Sequence, residues 1–333
     1  METVQIKENN QLADKILQES LFVNDLLHFL HQTIVGQEGL LRSLLIGLFG
    51  NGHILLEGVP GLAKTLAVKT LANSIKANFS RIQFTPDLLP ADVLGTMIYN
   101  IQTNEFNIRK GPIFANFILA DEINRAPEKV QSALLEVMQE QQVTISNTTY
   151  HLTKPFLVLA TQNPIDQNGT YELPEAQMDR FMLKALISYP TFEQERLVIQ
   201  KHSKPPVEHL YPQFDIDKIL YIQSLVDEIY IDHKIEEYIL NIIFCTRFPE
   251  NYQLSTIKEY IRFGASPRGS LNLAHAARVN AFLNQRSYVI PDDVKAVAYD
   301  VLRHRIGLTY AAIAEDINAD KLLKQILETI EMP

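Results

Sequence analysis

Residues 58–65, Gly58-Val59-Pro60-Gly61-Leu62-Ala63-Lys64-Thr65, decide how this chain is read. Ahead of them His53-Ile54-Leu55-Leu56-Glu57 is an apolar run of strand length, and behind them Leu66, Val68 and Leu71-Ala72 sit among good helix formers. A glycine-rich loop between a strand and a helix can bend so that successive N–H groups point inward at a phosphate chain, and the helix N-terminus adds its dipole. In that arrangement Lys64 reaches the β- and γ-phosphates and the Thr65 hydroxyl is a ligand for Mg2+. The usual pattern has glycine just before the lysine. Here the position is Ala63, whose methyl group is accommodated provided that φ stays negative. The competing reading, a Gly/Pro turn with a surface lysine, is decided by the rest of the chain.

With 333 residues, 46% of them hydrophobic, the chain is long enough for two domains with proper cores. Its net charge of −9 disfavours non-specific nucleic-acid binding, which needs Lys and Arg to neutralise phosphates, although it leaves room for a local basic channel. The single Cys245 excludes an intramolecular disulfide and a thiolate metal cluster, and reads as a small core residue. The first eight residues are polar and lack a signal-peptide core, and the apolar run at residues 44–49 is too short to span a bilayer. A soluble cytoplasmic protein is expected.

Residues 11–31 predict a helix with an apolar stripe of Leu12, Ile16, Leu17, Phe22, Leu26 and Leu27, and a second apolar helix runs to Phe49. From 53 to 190, strand candidates at 53–57, 80–84, 117–120, 156–161 and 184–188 alternate with helical stretches near 65–77 and 127–140, which argues for a mostly parallel sheet covered on both faces. Two β-hairpins interrupt the alternation, near 97–109 around a Gln102-Thr103-Asn104 turn and near 142–153 around Asn147-Thr148. Beyond Tyr189-Pro190 the pattern is helical without convincing strands: 216–227, 234–247, 268–285, 291–304 and 319–330, with Pro291-Asp292-Asp293 as a helix start. The expectation is an α/β nucleotide-binding core over residues 1–190, followed by an all-α domain over 191–333.

Phe117-Ile118-Leu119-Ala120-Asp121-Glu122 is an apolar run ending in two acids, as a buried strand needs if it is to present carboxylates at its C-terminal edge, where ligands sit in open α/β sheets. Asp121 would hold Mg2+ directly or through water, and Glu122 would polarise the water that attacks the γ-phosphorus. Residues 156–161 form another apolar run, leading through Gln162 to Asn163-Pro164; the neutral amide of Asn163 can orient that water without adding charge. Arg180, in Leu173-Pro174-Glu175-Ala176-Gln177-Met178-Asp179-Arg180-Phe181, is open to two readings: a surface ion pair with Asp179, or a cation that stabilises transition-state charge in a neighbouring subunit's site. Arg268, in Gly264-Ala265-Ser266-Pro267-Arg268-Gly269, starts a helix, where the dipole disfavours a cation that lacks an anionic partner such as phosphate.

Together with Val35-Gly36-Gln37-Glu38, residues 84–92 and Ala120-Asp121-Glu122-Ile123-Asn124-Arg125-Ala126, this ordered set closely resembles the MoxR family of AAA+ ATPases over most of residues 30–307, a family in which alanine at the position of Ala63 is usual. The resemblance implies a P-loop NTPase α/β domain with inserted hairpins and an all-α lid. It implies that Gly58, Val59, Pro60, Gly61, Leu62, Ala63, Lys64, Thr65 and Leu66 bind ATP, and that Thr65 and Asp121 hold Mg2+. It matches Asp121 and Glu122 to the Walker B pair, Asn163 to sensor 1, Arg180 to the arginine finger and Arg268 to the sensor 2 arginine, acting in cis or in trans. Val35 and Gly36 are expected to contact adenine through backbone, and the lack of an Asn-Lys-x-Asp guanine signature favours ATP. The family also implies a ring-shaped homo-oligomer, commonly a hexamer, that remodels a protein client, often with a von Willebrand factor A domain partner. Two other readings are a nucleic-acid-stimulated ring motor, disfavoured by neutral hairpin tips at Gln102, Thr103 and Asn104 and at Asn147-Thr148 although Arg109-Lys110 follows the first, and a non-hydrolysing nucleotide-binding scaffold, disfavoured by an intact Glu122.

Overall fold

The computed structural model describes residues 2–59, 61–163, 170–202 and 214–333. The chain forms two compact units, one of Leu26–Arg180 with Ala185–Leu220, the other of residues up to Asp25 with Phe181–Lys184 and Tyr221–Pro333. This division differs from the boundary at 190/191 expected from the change of pattern: the segment after Tyr189-Pro190 groups with the sheet-bearing unit as far as Leu220.

In chain order the elements of the first part are α1 (Glu2–Thr33), α2 (Glu38–Phe49), β1 (Ile54–Glu57), α3 (Lys64–Ser74) and β2 (Phe79–Gln83). There follow α4 (Pro90–Leu94), a hairpin of β3 (Gly95–Asn100) and β4 (Glu105–Lys110), β5 (Phe117–Asp121) and α5 (Glu128–Glu140). A second hairpin of β6 (Gln142–Ile145) and β7 (Thr148–His151) precedes β8 (Leu157–Gln162), α6 (Glu175–Met178), β9 (Leu183–Leu186) and α7 (Phe192–His202). The central sheet has the order β2-β5-β8-β1-β9, and β2, β5, β8 and β1 run parallel. Ile54, Leu55 and Leu56 of β1, Phe117 to Ala120 of β5 and Val158 to Ala160 of β8 are fully buried, as continuous apolar strands covered on both faces must be. Both inserted hairpins are present. The second turns one residue earlier than expected, at Ser146-Asn147 with Ser146 at φ 56°, because Val143 faces Tyr150 and Ile145 faces Thr148.

α1 is longer than the periodic stretch predicts, and its buried stripe runs through Ile16, Val23, Leu26 and Leu30, leaving the expected Leu17 exposed. No helix among the described residues is long and apolar enough to cross a membrane.

His53, immediately before β1, is buried with both ring nitrogens used. The Val158 N–H donates to Nδ1 (3.1 Å) and Nε2–H donates to the Met138 carbonyl (3.0 Å), which fixes the neutral tautomer. Burial pushes its pKa down to about 4, against a smaller upward pull from the Met138 bond. The folded value lies below the unfolded one, so the unfolded chain binds more protons between pH 4 and 6.5. This contribution to stability is full above pH 6.5 and is lost as pH falls towards 4, by about 3 kcal/mol. In urea titrations at pH 7 and pH 4, His53→Gln should lose about that much less stability than wild type; equal losses would show that His53 stays charged or solvated.

The second unit contains most of α8 (Ile216–Asp227), then α9 (His233–Arg247), β10 (Ile261–Phe263), α10 (Pro267–Leu283), α11 (Pro291–Leu302), β11 (Gly307–Leu308), α12 (Tyr310–Ala314) and α13 (Ala319–Thr329). The expected helices are all there. The expectation of an all-α domain is corrected by the antiparallel pair β10–β11, two segments too short to carry a periodicity. The helix start at Pro291 is built around a buried Asp293, which accepts from the Ile290 N–H (2.9 Å), Asn280 Nδ2 (2.8 Å) and both terminal nitrogens of Arg286 (2.5 and 2.6 Å). Cys245 is a buried core residue, and burial pushes its thiol pKa up to about 11.

Three consecutive basic residues after α11 clasp the backbone at 181–184. Arg305 Nη2 donates to the Phe181 carbonyl (2.7 Å) and Nη1 to Met182 (3.2 Å), His304 Nε2 lies 3.1 Å from the Phe181 carbonyl, and Arg303 Nη1 donates to Lys184 (2.7 Å). Arg305 and His304 are buried, and burial with the adjacent Arg305 charge holds the imidazole well below its ordinary range.

Candidate functional site

The C-terminal ends of β5 and β8 and the loop between β1 and α3 enclose a cavity of about 420 Å³, lined by residues 61–66 with Arg81, Asp121, Glu122, Thr161 and Asn163. Four separate stretches of sequence thus converge on the sheet edge where parallel α/β folds bind ligands.

The loop is shaped by two backbone requirements. Gly61 has φ 86°, and a Cβ at Gly58 would lie 2.8 Å from the Ile187 carbonyl oxygen, so a side chain there would push against the backbone after β9. Ala63 departs from expectation. Its φ is 59°, not negative, and it caps α3 from the left-handed region, a conformation that costs an alanine about 1–2 kcal/mol. No side chain caps α3 among the described residues, so its first N–H groups face the cavity region without a built-in acceptor. Lys64 Nζ donates to the Gly58 carbonyl (2.6 Å). Partial burial lowers its pKa, while the charges of Asp121 and Glu122 act in the opposite direction.

The acid pair is held from both neighbouring strands. Asp121 Oδ1 accepts from the Thr161 hydroxyl (2.6 Å), and Oδ2 accepts from Arg81 Nε (3.1 Å) and Nη2 (2.5 Å). Glu122 sits at φ 57°; its N–H donates to Thr161 Oγ1 (2.8 Å), and its Oε2 accepts from Gln83 Nε2 (2.8 Å) and lies 3.3 Å from Arg125 Nε. Asn163 follows β8 and is buried against the cavity. An amine, a hydroxyl, a carboxylate and an uncapped helix N-terminus around one space suit a phosphate chain with a hard cation, which takes only one or two protein oxygens and keeps the rest for phosphate and water.

Not every expected residue lines this cavity. Val35 and Gly36 lie instead beside the segment after β9, where Gln37 Nε2 donates to the Ser188 carbonyl (3.2 Å) and a Cβ on Gly36 would meet the Gln194 side chain. Gly58 and Val59 precede the lining residues, and Pro60 and Pro164 lie outside the described ones. Arg180 follows α6, its N–H donating to the Gln177 carbonyl (3.2 Å), with Nε buried and without a hydrogen-bond partner among the described residues. Arg268, in the other unit, is exposed in the first turn of α10, where Ser266 Oγ accepts its N–H (3.1 Å). Arg81, Gln83 and Thr161 were missed: as polar side chains in strand-length segments, nothing in their local pattern separates them from ordinary sheet residues.

Comparison with known proteins agrees with this geometry. Residues 53–183 match the ATPase family associated with various cellular activities (AAA), and residues 253–326 match the AAA lid domain. The chain is 48% identical over 302 residues to Chaperone MoxR1 of Mycobacterium tuberculosis (strain ATCC 25618 / H37Rv), covering 90% of this chain and 79% of that one. It is 45% identical over 305 residues to YeaC of Bacillus subtilis (strain 168), with 91% and 92% covered, and 29% identical over 323 residues to Protein MoxR of Methylorubrum extorquens. A crystal structure from Cytophaga hutchinsonii ATCC 33406, described as that of a candidate ATPase, superposes with a TM-score of 0.90 at 47% identity over 99% of both chains. The chain is therefore a member of the MoxR family of AAA+ ATPases.

Proposed function

We propose that this protein is a Mg2+-dependent ATPase that works as a ring-shaped homo-oligomer, a hexamer, and couples hydrolysis to remodelling of a protein partner in the cytoplasm. The observation that carries the reading is the convergence of Lys64, Thr65, Asp121, Glu122 and Asn163 on one cavity. The loop Gly58, Val59, Pro60 and residues 61–66, with Lys64, would bind the ATP phosphates, and the Val35-Gly36 backbone would serve adenine. Thr65 and Asp121 would hold Mg2+, which when bound neutralises charge on the β- and γ-phosphate oxygens. Glu122 takes the proton of the attacking water, and Asn163 orients that water without adding charge. Arg180 serves the neighbouring subunit's site, and Arg268 a nucleotide phosphate in its own or a neighbouring subunit.

A polypeptide client, with a von Willebrand factor A domain protein as the expected class, is supported by the first hairpin. Ile101 is 84% exposed and Phe106 64% exposed, with Met97, Ile98 and Tyr99 also accessible, a surface suited to apolar side chains and not to phosphodiesters. Of the two basic residues at its base, Arg109 is exposed, while Lys110 Nζ sits 4.8 Å from the ring centroids of both Phe114 and Tyr150.

The test is phosphate release from ATP by the wild-type protein at concentrations that favour assembly, with Mg2+ and with EDTA. Mg2+-dependent turnover is expected. Binding without turnover would make the protein a nucleotide-dependent scaffold, and a several-fold, salt-sensitive stimulation by DNA or RNA would make it a nucleic-acid motor.

A further inference from the structure

Asp121 is already occupied by a cation. Both carboxylate oxygens are engaged, Oδ1 by the Thr161 hydroxyl and Oδ2 by two nitrogens of the Arg81 guanidinium. The two contacts differ in permanence. Thr161 is buried and also accepts the Glu122 N–H, so it belongs to the backbone frame of the sheet edge. The Arg81 side chain is 50% exposed and can leave.

Strand register shows that this is no ordinary cross-strand pair. Arg81 of β2 stands opposite Leu119 of β5, and Gln83 stands opposite Asp121. The guanidinium therefore reaches two residues along the strand, into the cavity, to meet a carboxylate that is not its partner in the ladder. On the way Nη2 also donates to Gln83 Oε1 (2.8 Å), while Gln83 Nε2 holds Glu122, so the two acids are joined through Arg81 and Gln83.

We propose that Arg81 is a resident counter-cation that competes with the metal for Asp121 Oδ2 and must swing away before the metal can be held there. This inference rests on the ATPase reading, in which Asp121 is a metal ligand. Arg81 acts through Asp121 and is a positioning residue. It weakens metal binding in the nucleotide-bound site and ties Gln83, and with it Glu122, to whether the metal has arrived.

The test is titration of the full-length protein with Mn2+ in the presence of ADP, read by the electron paramagnetic resonance signal of free Mn2+. Arg81→Gln should bind Mn2+ about tenfold more tightly than wild type, the scale on which an adjacent opposite charge alters a carboxylate's affinity for a cation. Arg81→Lys, which keeps the charge but not the two-nitrogen hold, should fall between them. Unchanged or weaker Mn2+ binding by Arg81→Gln would overturn the proposal while leaving the metal site intact. An unchanged Arg81→Lys would overturn it if the glutamine variant does not fold. Absence of Mn2+ binding in wild type and in both Arg81 variants, each of which binds ADP, would remove Asp121 as a metal ligand, and both readings would fall.

Discussion

Arg180→Ala is expected to retain ATP binding and to lose about 10³–10⁵ of its turnover, the effect of withdrawing a cation from the transition state of phosphoryl transfer. The alternative for an arginine next to an aspartate is a surface ion pair worth about 1 kcal/mol or less, which corresponds to at most about fivefold in rate. The two readings are far enough apart for one steady-state measurement to choose between them. Arg180 Nε is buried without a hydrogen-bond partner among the described residues. The measurement is phosphate release at saturating ATP, paired with a nucleotide-binding titration. A twofold fall would return Arg180 to the ion-pair reading. If Arg180 acts between subunits, mixing Arg180→Ala with a variant lacking Glu122 should restore some turnover, because some interfaces then receive both an intact acid and an intact arginine.

Glu122→Gln should bind ATP and fail to hydrolyse it, with turnover lowered by about 10²–10⁴, the usual contribution of a positioned general base. The substitution is nearly isosteric. Its amide oxygen can still accept from Gln83, and the N–H bond to Thr161 does not involve the side chain. What disappears is the charge facing Arg125 at 3.3 Å and the capacity to take a proton. Retention of labelled ATP without phosphate release is the expected result; turnover above about a tenth of wild type would place the base elsewhere. On the proposed remodelling function, the same locked protein is the reagent for identifying the client, since a remodeller that cannot hydrolyse keeps hold of what it has engaged.

Elements whose own residues state their environment were legible in the sequence. The buried strands at 54–57, 117–121 and 157–162 are continuous apolar runs, the hairpins alternate, and Pro291-Asp292-Asp293 announces a helix. The loop at 58–65, with Asp121 and Asn163, was readable for the same reason: each follows a run that could only be a buried strand. Features made by long-range side-chain contacts were not legible. His53 looks like an ordinary residue before a strand until Val158 and Met138 claim its ring nitrogens. Arg81 looks like an outward-facing polar residue of β2 until the register shows it reaching past Leu119. The strands β10 and β11 are three and two residues long and carry no period. The first hairpin also departs from its pattern: Met97 and Tyr99 share the face that alternation predicts to be covered, yet both are exposed, as is Ile98 on the opposite face.

The basic clasp at residues 303–305 has a consequence for how the protein is made. Its partners Phe181, Met182 and Lys184 lie 119 to 124 positions earlier in the chain. On a ribosome, the segment directly after Arg180 waits unclasped while more than a hundred further residues are synthesised, at about 5–20 residues per second. The phosphate loop and both acids at the sheet edge have long emerged by then. The segment after Arg180, the residue proposed to serve a neighbouring subunit, thus has its clasp completed among the last steps of synthesis, so that a truncated chain can present a full-looking nucleotide cavity and still lack it.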